Sequence, residues 1–343
     1  MSSLIIKTVG IICFVAGRSG GHLIPCTTKA QQLLKEKYTV CLFSSGSELD
    51  KQIVEKHPDI HHICPVELEN IPQKWWQFPG FLCRCCQYFC TTCLELYRMK
   101  PEKIVSFGGL VSVPVCLAGK LLGIPIELHE LNVEPGRAIN CTAQLTENVH
   151  IYFPETAASF PKHKIILDQY PIRFTEQNKQ FDKEKLLQKF NLSPRKKTLL
   201  ILGGSQGSIS LNQLIKSSIE SNPQVAREIN IIHQTGAQDS ENYTEFYRAQ
   251  GISAFVCPFY SQLEDFYNLA DLILCRAGAG TVFETRFFEK RAILIPHETT
   301  STVHQISNAE SMIRSYPDQF FMVREQNCTA KILAEKIQEM IQL

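Results

Sequence analysis

Two stretches of the chain carry one signature: a short continuous apolar run that stops at glycines and gives way to a helical period. The first is Val9–Ala16 (VGIICFVA) and the second Lys197–Leu202 (KTLLIL). Uninterrupted apolar runs of this length predict parallel strands buried on both faces. After the first, a helical stretch runs to about Glu36 and a strand is expected at Tyr38–Phe43, making one βαβ unit. Further strands are predicted at Ile104–Phe107, Pro125–Leu128 and His150–Phe153. The second run restarts the pattern, with strands predicted at Ile229–His233, Ala254–Cys257, Leu272–Cys275 and Ala292–Ile295 between helix-length segments. This alternation reads as an α/β protein of two Rossmann-like domains, residues 1–173 and 174–343, with the boundary near Pro171–Thr175. The charged stretch Glu176–Lys197 reads as a solvated helix and connector. Two such domains facing each other leave a cleft, and ligands bind at the carboxyl ends of the strands.

Composition narrows the class. The chain has 343 residues, about twice the ~150-residue domain prior, which fits two domains. With 44% hydrophobic and 20% charged residues it is an ordinary folded protein. A net charge of +1 gives none of the basic excess of a nucleic-acid binder. No apolar run reaches the ~18 residues of a membrane span. The first sixteen residues lack a basic leader, so they are expected to enter a buried strand and not to be a signal peptide. Fourteen cysteines in a long chain of alternating strands and helices point to reduced thiols, not to a disulfide scaffold.

The chemistry-bearing segments follow the strands. Gly17-Arg18-Ser19-Gly20-Gly21-His22 links a strand to a helix. Glycines let backbone N–H groups approach an anion, and the helix N-terminus adds partial positive charge, so a diphosphate is the natural guest. A tight ligand-free turn is the alternative. The spacing is not G-x-G-x-x-G and no Lys-Ser/Thr follows, which disfavours NAD and ATP sites. Gly203-Gly204-Ser205-Gln206-Gly207-Ser208 repeats the arrangement in the second half. It also satisfies G-x-S-x-G, and Asp271 and His297 follow in hydrolase order, yet it opens a second domain and has no upstream oxyanion motif. In Leu272–Glu284 a strand ends in Arg276-Ala277-Gly278 and enters a helix with Thr281 at its start and Glu284 one turn on. The helix start suits a phosphate and the carboxylate suits ribose hydroxyls, a division of labour that fits a nucleoside diphosphate.

Together these segments resemble the MurG family, UDP-N-acetylglucosamine:undecaprenyl-pyrophosphoryl-muramoyl-pentapeptide glucosaminyltransferases. The resemblance covers nearly the whole chain. It rests on Gly17–His22 with Pro25, His129-Glu130-Leu131-Asn132 with Pro135-Gly136, and Tyr170-Pro171-Ile172-Arg173. In the second half it rests on Gly203–Gly207 with Leu211-Asn212, His233-Gln234-Thr235-Gly236, Arg276–Glu284, and Gln305 with Asn308-Ala309. It implies a glycosyltransferase B fold, a UDP-sugar in the C-terminal domain and a lipid-linked acceptor in the N-terminal domain. On the donor side it implies roles for Arg173, Ser205, Gln206, Phe259, Tyr260, Gly280, Thr281, Glu284 and Gln305. Ser205 and Thr281 meet phosphate, Glu284 the ribose, Phe259-Tyr260 the uracil and Gln305 the sugar. Gly17, Ser19, Gly20, Gly21, Gly108 and Gly109 cradle the acceptor diphosphate, with Asn132 and His22 at the reaction centre. Arg18, Ser106, Leu110, Thr302 and His304 depart from the family pattern. The implied reaction is inverting displacement by the acceptor 4-hydroxyl. His22 is the candidate base, because an imidazole titrates near working pH, and Glu130 is the reserve. No DxD-like pair lies beside the nucleotide motifs, so no metal and no cofactor are expected.

The segment before and into the next helix has its own pattern. Cys83, Cys86, Cys90 and Cys93 share a sector of about 80° on a helix of ~100° per residue. One straight helix does not wrap four ligands around a metal, so a buried small-residue face is expected. Trp75, Trp76, Phe78 and Phe81, flanked by Lys74 and Arg84, read either as core or as a membrane-interface patch. The resemblance favours the patch, and with it a peripheral position on the cytoplasmic face of the bacterial inner membrane. Two other readings stay open: a UDP-sugar enzyme of the same fold with another acceptor, and a non-catalytic UDP-sugar or lipid binder.

Overall fold

The computed structural model describes the whole chain except residues 1–8, 18–19, 48–49, 52–53, 65–66, 69–70, 73, 205–206, 224–227, 300–301, 303 and 343. The chain divides into two compact units, Met1–Arg173 and Phe174–Leu343.

In the first unit the opening apolar run forms β1 (Ile11–Val15), buried from Ile12 onward. It pairs in parallel with β2 (Thr39–Phe43) on one side and β4 (Lys103–Ser106) on the other. The sheet extends to β3 (His61–Ile63) at one edge, and through β5 (Ile126–Glu130) and β6 (Asn148–Ile151) to β7 (Ile165–Leu167) at the other. The order is β3-β2-β1-β4-β5-β6-β7, so the winding reverses at β1. Helices α1 (Gly20–Lys35), α2 (Phe78–Met99), α3 (Ser112–Leu121) and α4 (Arg137–Thr142) follow strands of this sheet.

The second unit repeats the plan. Its strands are β8 (Lys197–Leu202), β9 (Ile229–Gln234), β10 (Ser253–Cys257), β11 (Leu272–Cys275), β12 (Arg291–Leu294) and β13 (Phe320–Met322), all parallel in the order β10-β9-β8-β11-β12-β13. Before, between and after them lie α5 (Lys183–Lys189), α6 (Ile209–Ser221), α7 (Tyr243–Ala249), α8 (Leu263–Leu269), α9 (Ala279–Phe287), α10 (His304–Ser315) and α11 (Ala330–Gln342). The charged connector becomes a short 3-10 turn at Glu176–Lys179 followed by α5, whose N-cap Asp182 accepts from Lys185 N–H. The reversal at β8 puts the Gly203 loop at a switch point, where the ends of adjacent strands diverge and leave room for a ligand.

Helix α2 corrects one expectation. Its buried line is Tyr88, Thr92 and Leu96, four residues apart, with Tyr88 Oη donating to Ser44 O at 2.9 Å. The large residues take the interior. Cys83, Cys86 and Cys90 are therefore exposed, and Cys93 is half-buried. The cysteine sector is an outer stripe, continued by exposed Leu82, Leu94 and Tyr97.

Candidate acceptor and donor sites

At the ends of β1 and β4 two glycine loops touch. A Cβ on Gly17 would lie 2.6 Å from Gly109 Cα and 3.4 Å from His22 Nδ1. Gly108 and Gly109 both have positive φ, 81° and 85°, and a Cβ on Gly109 would run into the Gly17 backbone. Glycine is required here by contact and by conformation together. Gly20 opens α1, Gly21 is exposed and His22 is half-buried in the first turn. The structure thus brings Gly17, Gly20, Gly21, Gly108, Gly109 and His22 to one end of the sheet. Ser106 accepts from Gly108 N–H at 3.3 Å, so the serine that departs from the family pattern steadies the second loop. Arg18 and Ser19 lie outside the described residues.

The end of β5 is organised by Glu130, which is 3% exposed. Its Oε1 accepts from Asn132 N–H at 2.8 Å and Asn132 Nδ2 at 3.3 Å, and its Oε2 accepts from Gly136 N–H at 2.9 Å. Burial pushes its carboxyl up to about 7, and the N–H donors only partly offset this. Thr156 Oγ1 holds the Asn132 carbonyl at 3.0 Å. This is the geometry of a loop organiser that aims Asn132.

The opposite face of β5 carries His129, stacked between Phe107 (4.6 Å between centroids) and His150 (4.4 Å). Glu127, His129 and His150 place possible ligand atoms within 4.8 Å of one another. The two imidazoles are within 10° of parallel, so their lone pairs do not converge on one ion, and Lys103 Nζ bridges Glu127 at 2.8 Å. The trio is a packed polar column.

Near α2, Trp75 is 80% exposed and Trp76 and Phe78 are exposed, whereas Phe81 is half-buried. Lys74 Nζ lies 5.3 Å from the Trp76 ring centroid. Among the described residues no helix is long and apolar enough to cross a membrane.

In the second unit Gly204 and Gly207 have positive φ, 89° and 78°. Gly207 abuts the Thr235–Gly236 backbone, but among the described residues a Cβ on Gly204 or on Gly278 would meet nothing within 4 Å. Open backbone therefore faces outward at the ends of β8 and β11. Ser205 and Gln206 lie outside the described residues. Gly280 and Thr281 are half-buried in the first turn of α9. Glu284 follows one turn later, 7% exposed, with Oε2 accepting from Tyr267 Oη at 3.0 Å. Phe259 is exposed. Tyr260 is anchored: its N–H donates to Gln234 Oε1 at 3.0 Å, and its ring stacks on Phe266 at 4.4 Å. The Tyr260 N–H is thus engaged within the protein. Gln305 Oε1 accepts from His297 N–H at 2.9 Å, and Thr302 Oγ1 donates to His297 O at 2.6 Å. Arg173 is exposed at the end of the first unit.

Two groups were not legible as site elements. His233, fully buried, binds Tyr247 Oη at 2.9 Å and Asn212 Oδ1 at 3.0 Å, and burial pushes it down to about 3. It is a neutral structural imidazole under the Thr235–Gly236 turn. Arg276 and Glu325 form an ion pair at 2.6 Å across 49 residues of chain, a spacing no local pattern announces. The hydrolase order is not assembled. Asp271 accepts from Thr198 N–H at 2.7 Å at the amino ends of β8 and β11, whereas His297 follows the carboxyl end of β12.

Known proteins match this architecture. The glycosyltransferase family 28 N-terminal domain matches residues 12–151, and the family 28 C-terminal domain matches residues 198–342. The UDP-N-acetylglucosamine--N-acetylmuramyl-(pentapeptide) pyrophosphoryl-undecaprenol N-acetylglucosamine transferase of Protochlamydia amoebophila is 32% identical over 304 residues, 87% of this chain and 79% of that protein. The chain belongs to the MurG family. A Myxococcus xanthus transferase of the same description is 28% identical over 340 residues, 96% of this chain and 84% of the relative. The MurG-family fold is seen directly in the crystal structure of Acinetobacter baumannii MurG, with a TM-score of 0.71 at 23% identity, covering 97% of this chain and 93% of that one. Medicago truncatula UGT71G1, complexed with UDP-glucose, shares the fold with a TM-score of 0.69 at 13% identity, covering 98% and 91% of the two chains. The protein is thus a two-domain glycosyltransferase of the B fold.

Proposed function

We propose that this enzyme transfers N-acetylglucosamine from UDP-N-acetylglucosamine to the 4-hydroxyl of undecaprenyl-pyrophosphoryl-N-acetylmuramoyl-pentapeptide, with inversion, in peptidoglycan synthesis. The observation that carries this is 32% identity to a transferase of that description over 87% of the chain. The open Gly204 and Gly278 backbones at strand ends in the second unit support a nucleotide site there.

In this reading the second unit holds the donor. The N-terminus of α9, with Gly280 and Thr281, and the loop carrying Ser205 and Gln206 bind the diphosphate. Glu284 takes the ribose hydroxyls. Phe259 and Tyr260 meet uracil, Gln305 the sugar, and Arg173 the nucleotide. Negative charge grows on the departing UDP, and oriented backbone N–H groups stabilise it without reorganising. The first unit holds the acceptor diphosphate against the Gly17 and Gly108–Gly109 loops. His22 removes the proton of the attacking hydroxyl, and Glu130 acts by aiming Asn132. The exposed Trp75, Trp76 and Phe78 rest at a bilayer surface beside basic Lys74, as interfacial aromatics do. In this reading the enzyme sits peripherally at the cytoplasmic face of the membrane, where the lipid-linked acceptor resides.

An assay with a panel of UDP-sugars and a soluble lipid-linked acceptor analogue tests this. Transfer and UDP release are expected with UDP-N-acetylglucosamine. Tight UDP-sugar binding without transfer would establish the non-catalytic reading, and transfer from another sugar nucleotide would reassign the donor.

A further inference from the structure

The donor-side loops are tied together by a carboxylate that lies on none of them. Glu325 opens a single 3-10 turn, Glu325–Asn327, after β13. Its Oε1 accepts from Arg276 Nη2 at 2.6 Å and from Ser210 Oγ at 3.0 Å. Its Oε2 meets His297 Nδ1 at 3.1 Å and accepts from Glu298 N–H at 3.4 Å. Its own N–H donates to Glu298 Oε1 at 3.0 Å, and Glu298 is held in turn by both Arg324 Nε and Nη2 at 2.8 Å. Burial alone would raise this carboxyl, but Arg276, His297 and Ser210 hold it down at about 2. It is therefore a fixed charge at any working pH.

The two arms of Glu325 reach two parts of the donor site. Arg276 is 4% exposed, and its other donors go to Ser208 Oγ (3.1 and 2.9 Å), Ser210 Oγ (2.6 Å) and Ile295 O (3.1 Å). Ser208 caps α6 directly after Gly207, so this arm braces the end of the glycine loop. His297 is the other arm. Its ring is held at Nδ1, and its backbone N–H takes Gln305 Oε1. The Gln305 carbonyl is turned inward by that bond, which leaves the amide NH2 as the group offered to a ligand. Carbonyl-in and amide-out is the orientation that recognises a hydroxyl oxygen as acceptor.

We infer that Glu325 is a positioning residue for sugar recognition, acting through His297 on Gln305 while Arg276 anchors it to the floor of the glycine loop. This rests on the donor-site reading above. A carboxylate that only stabilised the fold would change the melting temperature and the amount of active enzyme. A carboxylate that positions Gln305 changes how much tighter UDP-N-acetylglucosamine binds than UDP.

Calorimetric titration of both ligands into wild type, Glu325→Gln and His297→Ala, with a thermal melt of each, separates these cases. Both variants are expected to lose about tenfold in affinity for UDP-N-acetylglucosamine, about 1.4 kcal/mol. Affinity for UDP should stay within about twofold, and KM for the donor should rise more than kcat falls. The double variant should lose no more than the worse single variant, because both substitutions cut one connection. Equal weakening of both ligands, or no change in their ratio, would overturn the inference. If Glu325→Gln fails to fold, the ratio in His297→Ala decides alone. Wild type that binds neither ligand would defeat the donor-site reading and this inference with it. An unchanged ratio in the variants beside wild-type binding of both ligands defeats the inference only.

Discussion

Replacing Glu130 by Gln makes a test whose sign depends on pH. Glutamine supplies one carbonyl oxygen for the Asn132 donors, and its NH2 then faces the Gly136 N–H that the carboxylate accepts at 2.9 Å. One buried donor loses its acceptor, which costs about 1–3 kcal/mol. The wild-type carboxyl is raised from 4.5 to about 7 by burial. Between those values the folded protein keeps a proton that the unfolded chain has released. Wild-type stability therefore falls as pH rises through that window, by about 1.4 kcal/mol per pKa unit and about 3 kcal/mol in all. The variant has no such proton. Its deficit should be the full ~1–3 kcal/mol near pH ~5, and should vanish or reverse near pH ~8. For a domain of this size 1 kcal/mol moves Tm by about 2–4 °C, so the deficit near pH ~5 reads as about 2–12 °C. Calorimetric melts of both proteins at the two pH values measure it. A deficit that grows toward alkaline pH would refute the reasoning, because the carboxylate would then be ionised throughout and stabilised by its N–H donors. In transfer assays the variant should lose kcat/KM for the acceptor while its donor KM holds, since the loop that carries Asn132 has lost its tie at Gly136.

Glu284→Ala should weaken UDP-sugar binding by about 1.5–3 kcal/mol for each charge-assisted hydrogen bond lost; equal affinity in wild type and variant would remove Glu284 from the ribose site. Gly109→Ala adds a left-handed penalty of about 1–2 kcal/mol to a backbone collision with Gly17. It should abolish transfer to the lipid-linked acceptor while UDP still binds, and normal acceptor kinetics would argue against the two-loop cradle. Replacing exposed Trp75 and Trp76 by Ser should leave the melting temperature unchanged and reduce sedimentation with anionic vesicles, each buried aromatic contributing about 25 cal/mol per Å². Unchanged sedimentation would show that these rings do not touch lipid.

The central strands were legible because parallel strands buried on both faces show as continuous apolar runs; Lys197–Leu202 and Leu272–Cys275 form with the bounds the pattern predicts. The edge strands β3, β7 and β13 were not, since three residues are too few to carry a period, and β7 leaves Ile166 and Leu167 exposed. Periodicity located the cysteine sector but not its direction. Which side of α2 faces inward is decided by Tyr88 reaching Ser44, a contact across 44 residues. Likewise the Gly17 loop was visible as a motif, but its dependence on Gly109 appears only when β1 and β4 are side by side. Local chemistry is written locally, and the partner that fixes its geometry comes from another strand.

The outward cysteine stripe has a practical consequence. Cys83, Cys86 and Cys90 are unhindered free thiols on the same helix face as Leu82, Leu94 and Tyr97. Whatever covers that face shields all three from a maleimide, and whatever leaves it bare exposes all three, so the native chain carries its own footprinting label. The same arrangement makes handling conditions matter. In air and without reductant, two molecules meeting through their apolar faces bring thiols together, and dioxygen, taking up the two electrons and two protons that a thiol pair gives up, locks the encounter as a disulfide-linked dimer.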